Sequence, residues 1–67
     1  MRHLISKQET GQRVGYHPEH VMRLAREGGF PRPIKLGAGS NCAVRFDVAE
    51  IEAWVEERAA AREPIPA

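Results

Sequence analysis

A chain of 67 residues with one cysteine and a formal net charge of +1 forms a single small domain, near the lower limit for a self-sufficient hydrophobic core. That size leaves little room for a catalytic cleft with its own supporting shell and favours a binding module, one cysteine excludes an internal disulfide framework, and no apolar run reaches the ~20 residues of a membrane span. The charge is unevenly divided: residues 1–46 carry eight Lys/Arg against three Asp/Glu, whereas residues 47–67 carry two against six, a basic front suited to a polyanion and an acidic back held away from it.

Taken in order, Met1-Arg2-His3-Leu4-Ile5 is too poor in apolar residues for a signal peptide, and Leu4 and Ile5 make a short lead-in that packs on the core. Ser6 followed three residues later by Glu9 is a capping box, which starts a helix at Lys7 and carries it to Val14. Gly11 inside that helix costs about 1 kcal/mol relative to alanine, and the close approach of a following helix would explain it. Gly15-Tyr16-His17 forms the turn, with Gly15 supplying a positive φ. Pro18 suits a first helical position, so a second helix runs over residues 18–27, with His17 an indifferent N-cap and Gly28-Gly29 the stop. Val21, Leu24 and Ala25 share its inner face, joined by Val14 and Tyr16 on the apolar side of the bend. Glu19, Arg23 and Arg26 project outward, with His20 and Met22 at the borders. This is the spacing of a helix-turn-helix DNA reader.

The prolines of Phe30-Pro31-Arg32-Pro33 forbid helix there. Ile34-Lys35-Leu36 and Cys42-Ala43-Val44-Arg45-Phe46 then alternate around a Gly37-Ala38-Gly39-Ser40-Asn41 loop, the pattern of a β-hairpin. Ile34, Leu36, Val44 and Phe46 are expected to face inward, and Lys35 and Arg45 outward. Asp47 with Glu50 repeats the capping signal for a third helix from Val48. Its stripe of Ile51, Trp54, Val55 and Arg58 is expected to complete the core, leaving Glu52, Glu56 and Glu57 outside. The fold expected is mainly α with a small β-hairpin: a winged helix-turn-helix domain over residues 1–61, with its two-stranded wing at 34–46 and its C-terminal helix, and a flexible tail at 62–67.

These residues resemble the AlpA family of small phage and prophage regulators, which are winged helix-turn-helix proteins of the MerR-like kind and relatives of phage excisionases. The resemblance runs from Leu4 to Arg58. Gly28-Gly29-Phe30-Pro31-Arg32-Pro33-Ile34-Lys35-Leu36-Gly37 is similar to the family's G-x-F-P-x-P-x-x-L-G run. Val44-Arg45-Phe46 followed by Glu50-Ile51-Glu52-Ala53-Trp54-Val55 resembles its V-R-W … E-V-x-x-W-I segment, with Phe46 in place of tryptophan. Thr10-Gly11 replaces a common Val-Ala pair, His17-Pro18-Glu19-His20 a Ser-rich helix start, and Met22 a frequent Tyr. The resemblance implies binding of double-stranded DNA, either in transcriptional regulation of phage genes or as an excisionase that bends attachment-site DNA for an integrase.

At the expected interface, the second helix offers Arg23 and Arg26 to guanine edges or phosphates, His20 as a donor, and Glu19 as an acceptor from cytosine, with His17 at its start. The rival role for Arg23 is an i,i+4 pair with Glu19. Ser40 and Asn41 in the wing loop suit a minor groove, and Lys35 and Arg45 flank it as phosphate contacts, unless Arg45 is held by an acidic residue such as Glu50. Ser6 and Lys7, with the first amides of their helix, are placed to hold a phosphate.

Other chemistries fare poorly. His17-x-x-His20 places two imidazoles within reach and Cys42 offers a third ligand, but there is no Cys-x-x-Cys and both histidines sit where DNA is expected. Gly37-x-Gly39 opens no helix, and no nucleophile stands beside an orienting base, so neither cofactor nor catalysis is expected. Cys42 reads as a small buried apolar residue. The rival from another class is an adaptor whose Trp54 and acidic third helix bind a recombinase or a polymerase subunit. So small a module is expected to act in the cytoplasm, at the nucleoid, as a dimer or a cooperative assembly on DNA.

Overall fold

The computed structural model of the chain describes residues 1–39 and 43–65. Three helices and three short strands follow in the order β1 (Leu4–Ile5), α1 (Lys7–Val14), α2 (Pro18–Glu27), β2 (Ile34–Lys35), β3 (Val44–Asp47) and α3 (Val48–Ala60). The strands form one antiparallel sheet in the order β1-β3-β2. The lead-in is thus a strand in its own right: Leu4 pairs with Asp47 and Ile5 with Phe46, making β3 central and the sheet three-stranded rather than a bare hairpin.

Caps set the helix boundaries. Ser6 Oγ accepts from the Glu9 N–H at 3.1 Å, while the Glu9 carboxylate turns to Arg13 at 3.4 Å instead of closing the capping box. His17 is a working cap, its Nδ1 accepting from the Glu19 N–H at 3.1 Å. Asp47 Oδ1 accepts from the Ala49 N–H at 2.9 Å and starts α3 directly from the end of β3. Gly15 and Gly28 end α1 and α2 with φ of 79° and 89°, a region nearly closed to side chains with a Cβ.

Gly11 has a more local reason than contact with the body of α2. A Cβ there would collide with the backbone carbonyl of Tyr16 in the turn and meet the nitrogen of Pro18 at 3.5 Å. The Gly11 carbonyl itself accepts from the Gly15 and Tyr16 N–H groups at 2.7 and 2.9 Å, so the turn folds back over this residue.

The core gathers Ile5, Val21, Ala25, Phe30, Phe46, Val48 and Ile51, with Val14, Met22, Leu24 and Trp54 packed around it. Phe30, which the sequence marks only as a helix breaker, lies between Phe46 and Trp54, with ring centroids 5.8 and 4.8 Å away in edge-on geometry. Such pairs add about 0.5–1.5 kcal/mol beyond the area they bury. Thr10 is fully buried and satisfied, its Oγ1 donating to the Ser6 carbonyl at 2.8 Å.

Three expectations about burial are corrected. Tyr16 and Val55 remain 39% and 40% exposed. Leu36, expected inward, is 54% exposed. The register shows why: Ile34 pairs with Arg45 and Lys35 with Val44, and partners in an antiparallel ladder share a face. Lys35 therefore lies on the face of Val44 and Phe46, one residue out of step with the expected alternation, which moves every β2 side chain to the other face. Leu36 lies past the end of β2, its N–H donating to the Ala43 carbonyl at 2.9 Å.

Candidate nucleic-acid interface

The one-residue shift in β2 builds a groove between α2 and the β2–β3 ribbon. Met22 and Ala25 from α2, Val44 from β3 and Pro33 line it, with Arg26, Arg32 and Lys35 among them. Three cations from separate parts of the chain thus meet around an apolar floor. Long basic side chains lay their methylene stems on such a floor and keep the charged head free. Lys35 reaches the groove because of its register, and Arg26 because it closes the last turn of α2.

Beside this groove, α2 presents Glu19, Arg23 and Arg26 to solvent. Arg23 does not pair with Glu19. Its guanidinium donates to His20 Nδ1 at 2.8 Å, and the His20 ring stands edge-on to Tyr16 with centroids 4.7 Å apart. Glu19 instead receives Lys7 from α1, with Nζ 3.3 Å from Oε1. That pair ties the first turns of the two helices together and partly occupies both residues. These contacts engage Nδ1 of His17 and His20 and leave Nε2 of each ring for a ligand.

Not every expected residue joins this face. Ser6 Oγ is engaged as the α1 cap. Arg45 shares the face of Ile34, away from Lys35, and donates to the carbonyl of Val44 at 2.8 Å. The alternative of a pair with Glu50 is not formed: Arg2, not Arg45, approaches that carboxylate, at 4.0 Å. Arg2 also hydrogen-bonds Asp47, whose carboxyl is held below the usual aspartate range, chiefly by that guanidinium, against the opposing effect of burial. Ser40, Asn41 and Cys42 lie outside the described residues.

Arg32 lines the groove although the sequence marks its surroundings chiefly as a helix break, through the prolines on either side. The signal was present all the same: prolines on both sides stiffen the backbone that carries this cation. Trp54, the anchor of the adaptor reading, is half-buried, with its indole N–H donating to the Gly29 carbonyl at 3.0 Å and Arg58 4.7 Å over its ring. Among the described residues no group of three or more His, Cys, Asp or Glu is arranged to hold a metal ion, and no helix is long and apolar enough to cross a membrane.

A family model described as prophage CP4-57 regulatory protein (AlpA) matches residues 4–59. No curated protein and no solved structure matches the chain. The matched span begins with β1 and ends within the last turn of α3, so it takes in every helix and strand that builds the groove. The chain belongs to the AlpA family of prophage regulatory proteins.

Proposed function

We propose that this protein is a sequence-specific double-stranded DNA-binding regulator of prophage genes, built as a winged helix-turn-helix. In this reading α1, the turn and α2 are the helix-turn-helix, and α2 enters the major groove with Arg23, Arg26, His20 and Glu19 toward base edges. The β2–β3 ribbon is the wing. The observation that carries the reading is the groove between α2 and the ribbon, where Arg26, Arg32 and Lys35 converge. Three cations aligned beside an exposed helix face suit a phosphate backbone running past a helix seated in the groove. Membership in a family of regulators supports the same role.

Titration of duplex DNA at two salt concentrations tests it. Binding falls with salt, with a log–log slope near −0.9 for each phosphate neutralised. Salt-indifferent or absent binding overturns the proposal. The same interface serves an excisionase that bends DNA beside an integrase. Gel mobility with the site moved along a fragment separates the roles, since strong bending favours the excisionase.

A further inference from the structure

Two adjoining hollows run along α3. One holds Leu24, Trp54 and Arg58, the other Ile51, Glu52 and Glu56, and both share Arg13, Val14 and Val55. They form one continuous trough whose apolar floor includes the exposed part of Val55. Neither hollow shares a lining residue with the α2–ribbon groove. An apolar strip with a charged rim is the signature of an interaction surface.

The charges on that rim indicate the occupant. Glu52 lies three residues before Val55 and Arg58 three residues after it, and i±3 neighbours share a side of a helix. Of the other charges that line the trough, Arg13 is paired with Glu9 at 3.4 Å and Glu56 lies on the Glu52 side. Among the described residues Glu52 makes no ion pair, and Arg58 is engaged only with the Trp54 ring. A partner of uniform charge would meet like charge at one end of this trough. A second α3 lying antiparallel and centred on Val55 meets opposite charge at both ends.

We infer that this trough seats a second copy of the chain, α3 against α3 about a two-fold axis at Val55. Glu52 then faces the partner's Arg58 at one end, and the axis repeats the pair at the other. The two valines meet at the centre. The patch is small, so free chains associate weakly, with a Kd on the order of 0.1–1 mM. The proposed DNA face of each copy stays uncovered.

Sedimentation equilibrium of the full chain up to millimolar concentration tests the inference. The mass rises reversibly toward that of two chains. Val55→Glu places two carboxylates on the axis and keeps the chain monomeric with an unchanged far-UV spectrum. Glu52→Arg or Arg58→Glu alone turns two attractions into two repulsions and weakens association about tenfold. The combined Glu52→Arg, Arg58→Glu chain restores it. A wild-type chain that stays monomeric overturns the inference. So does a dimer that survives Val55→Glu, or a double variant no better than the singles. Each readout is independent of DNA binding, so failure here leaves the proposed function standing.

Discussion

Trp54 donates its indole N–H to the carbonyl of Gly29 at 3.0 Å, latching α3 onto the glycine pair that ends α2. The bond joins residues 25 apart in sequence and fixes the angle at which the last helix leaves the core. Trp54→Phe keeps an aromatic ring against Phe30 and removes the donor. The Gly29 carbonyl is rehydrated at the surface, so the loss is that of one hydrogen bond, about 1 kcal/mol. For a domain of this size thermal unfolding should shift down by about 4–8 °C, measurable by circular dichroism. An unchanged midpoint would show that the latch contributes nothing.

Gly11→Ala pits helix propensity against space. Alanine favours an interior helical site by about 1 kcal/mol. Here its Cβ runs into the Tyr16 carbonyl, a backbone atom that cannot swing aside. The clash should dominate, for a net destabilisation of about 1–3 kcal/mol in urea titrations. Gly15→Ala meets no atom within 4 Å and suffers only from its φ of 79°, so a loss of about 1 kcal/mol is expected. Equal losses at the two sites would refute the steric account of Gly11.

Asp47 makes stability depend on pH. Its folded-state pKa is lowered, first by the Arg2 hydrogen bond, so the native state binds fewer protons than the unfolded chain. The stabilisation is complete above the unfolded carboxylate pKa and is lost as pH falls through the lower folded value. Asp47→Asn keeps an oxygen for the Ala49 N–H but cannot ionise. Urea midpoints of this variant should change less on acidification than those of the parent chain. A parallel acid limb in both would rule out Asp47 as its source. Because Arg2 is largely exposed, added salt should narrow the difference.

Three arginine and lysine changes divide the proposed interface. Arg23→Ala should cost about 1–3 kcal/mol at one base pair and relax sequence preference there. Lys35→Ala and Arg32→Ala should weaken all duplexes alike and reduce the salt slope by about one phosphate each. Binding isotherms on matched and scrambled duplexes at several salt concentrations measure both quantities. Identical behaviour of Arg23→Ala and Lys35→Ala would erase the distinction between reader and clamp.

Local signals are legible in the sequence. The caps at Ser6 and Asp47, the positive-φ glycine at position 15 and the Gly28 stop each depend on residues within a few positions, and they set the start and end of α1, the end of α2 and the start of α3. What required the whole chain was less legible. The β1–β3 pairing joins residues some forty positions apart, and two residues carry no periodicity. The register of β2 depends on where β3 offers its hydrogen bonds, so the sequence alternation put Lys35 on the wrong face and hid the groove that it shares with Arg26. Phe30 looked like part of a breaker because the prolines beside it dominate the local signal, while its burial comes from Phe46 and Trp54.

The central place of β3 also sets an order of events in folding. Leu4 and Ile5 leave the ribosome some forty residues ahead of their partners Phe46 and Asp47. Until those partners follow, α1 and α2 can form their turn, but the sheet that backs them has no middle. A vectorially made chain therefore keeps Leu4 and Ile5 unpaired until β3 has been made, and the pairing that completes the sheet spans some forty residues, the long-range kind that forms slowly.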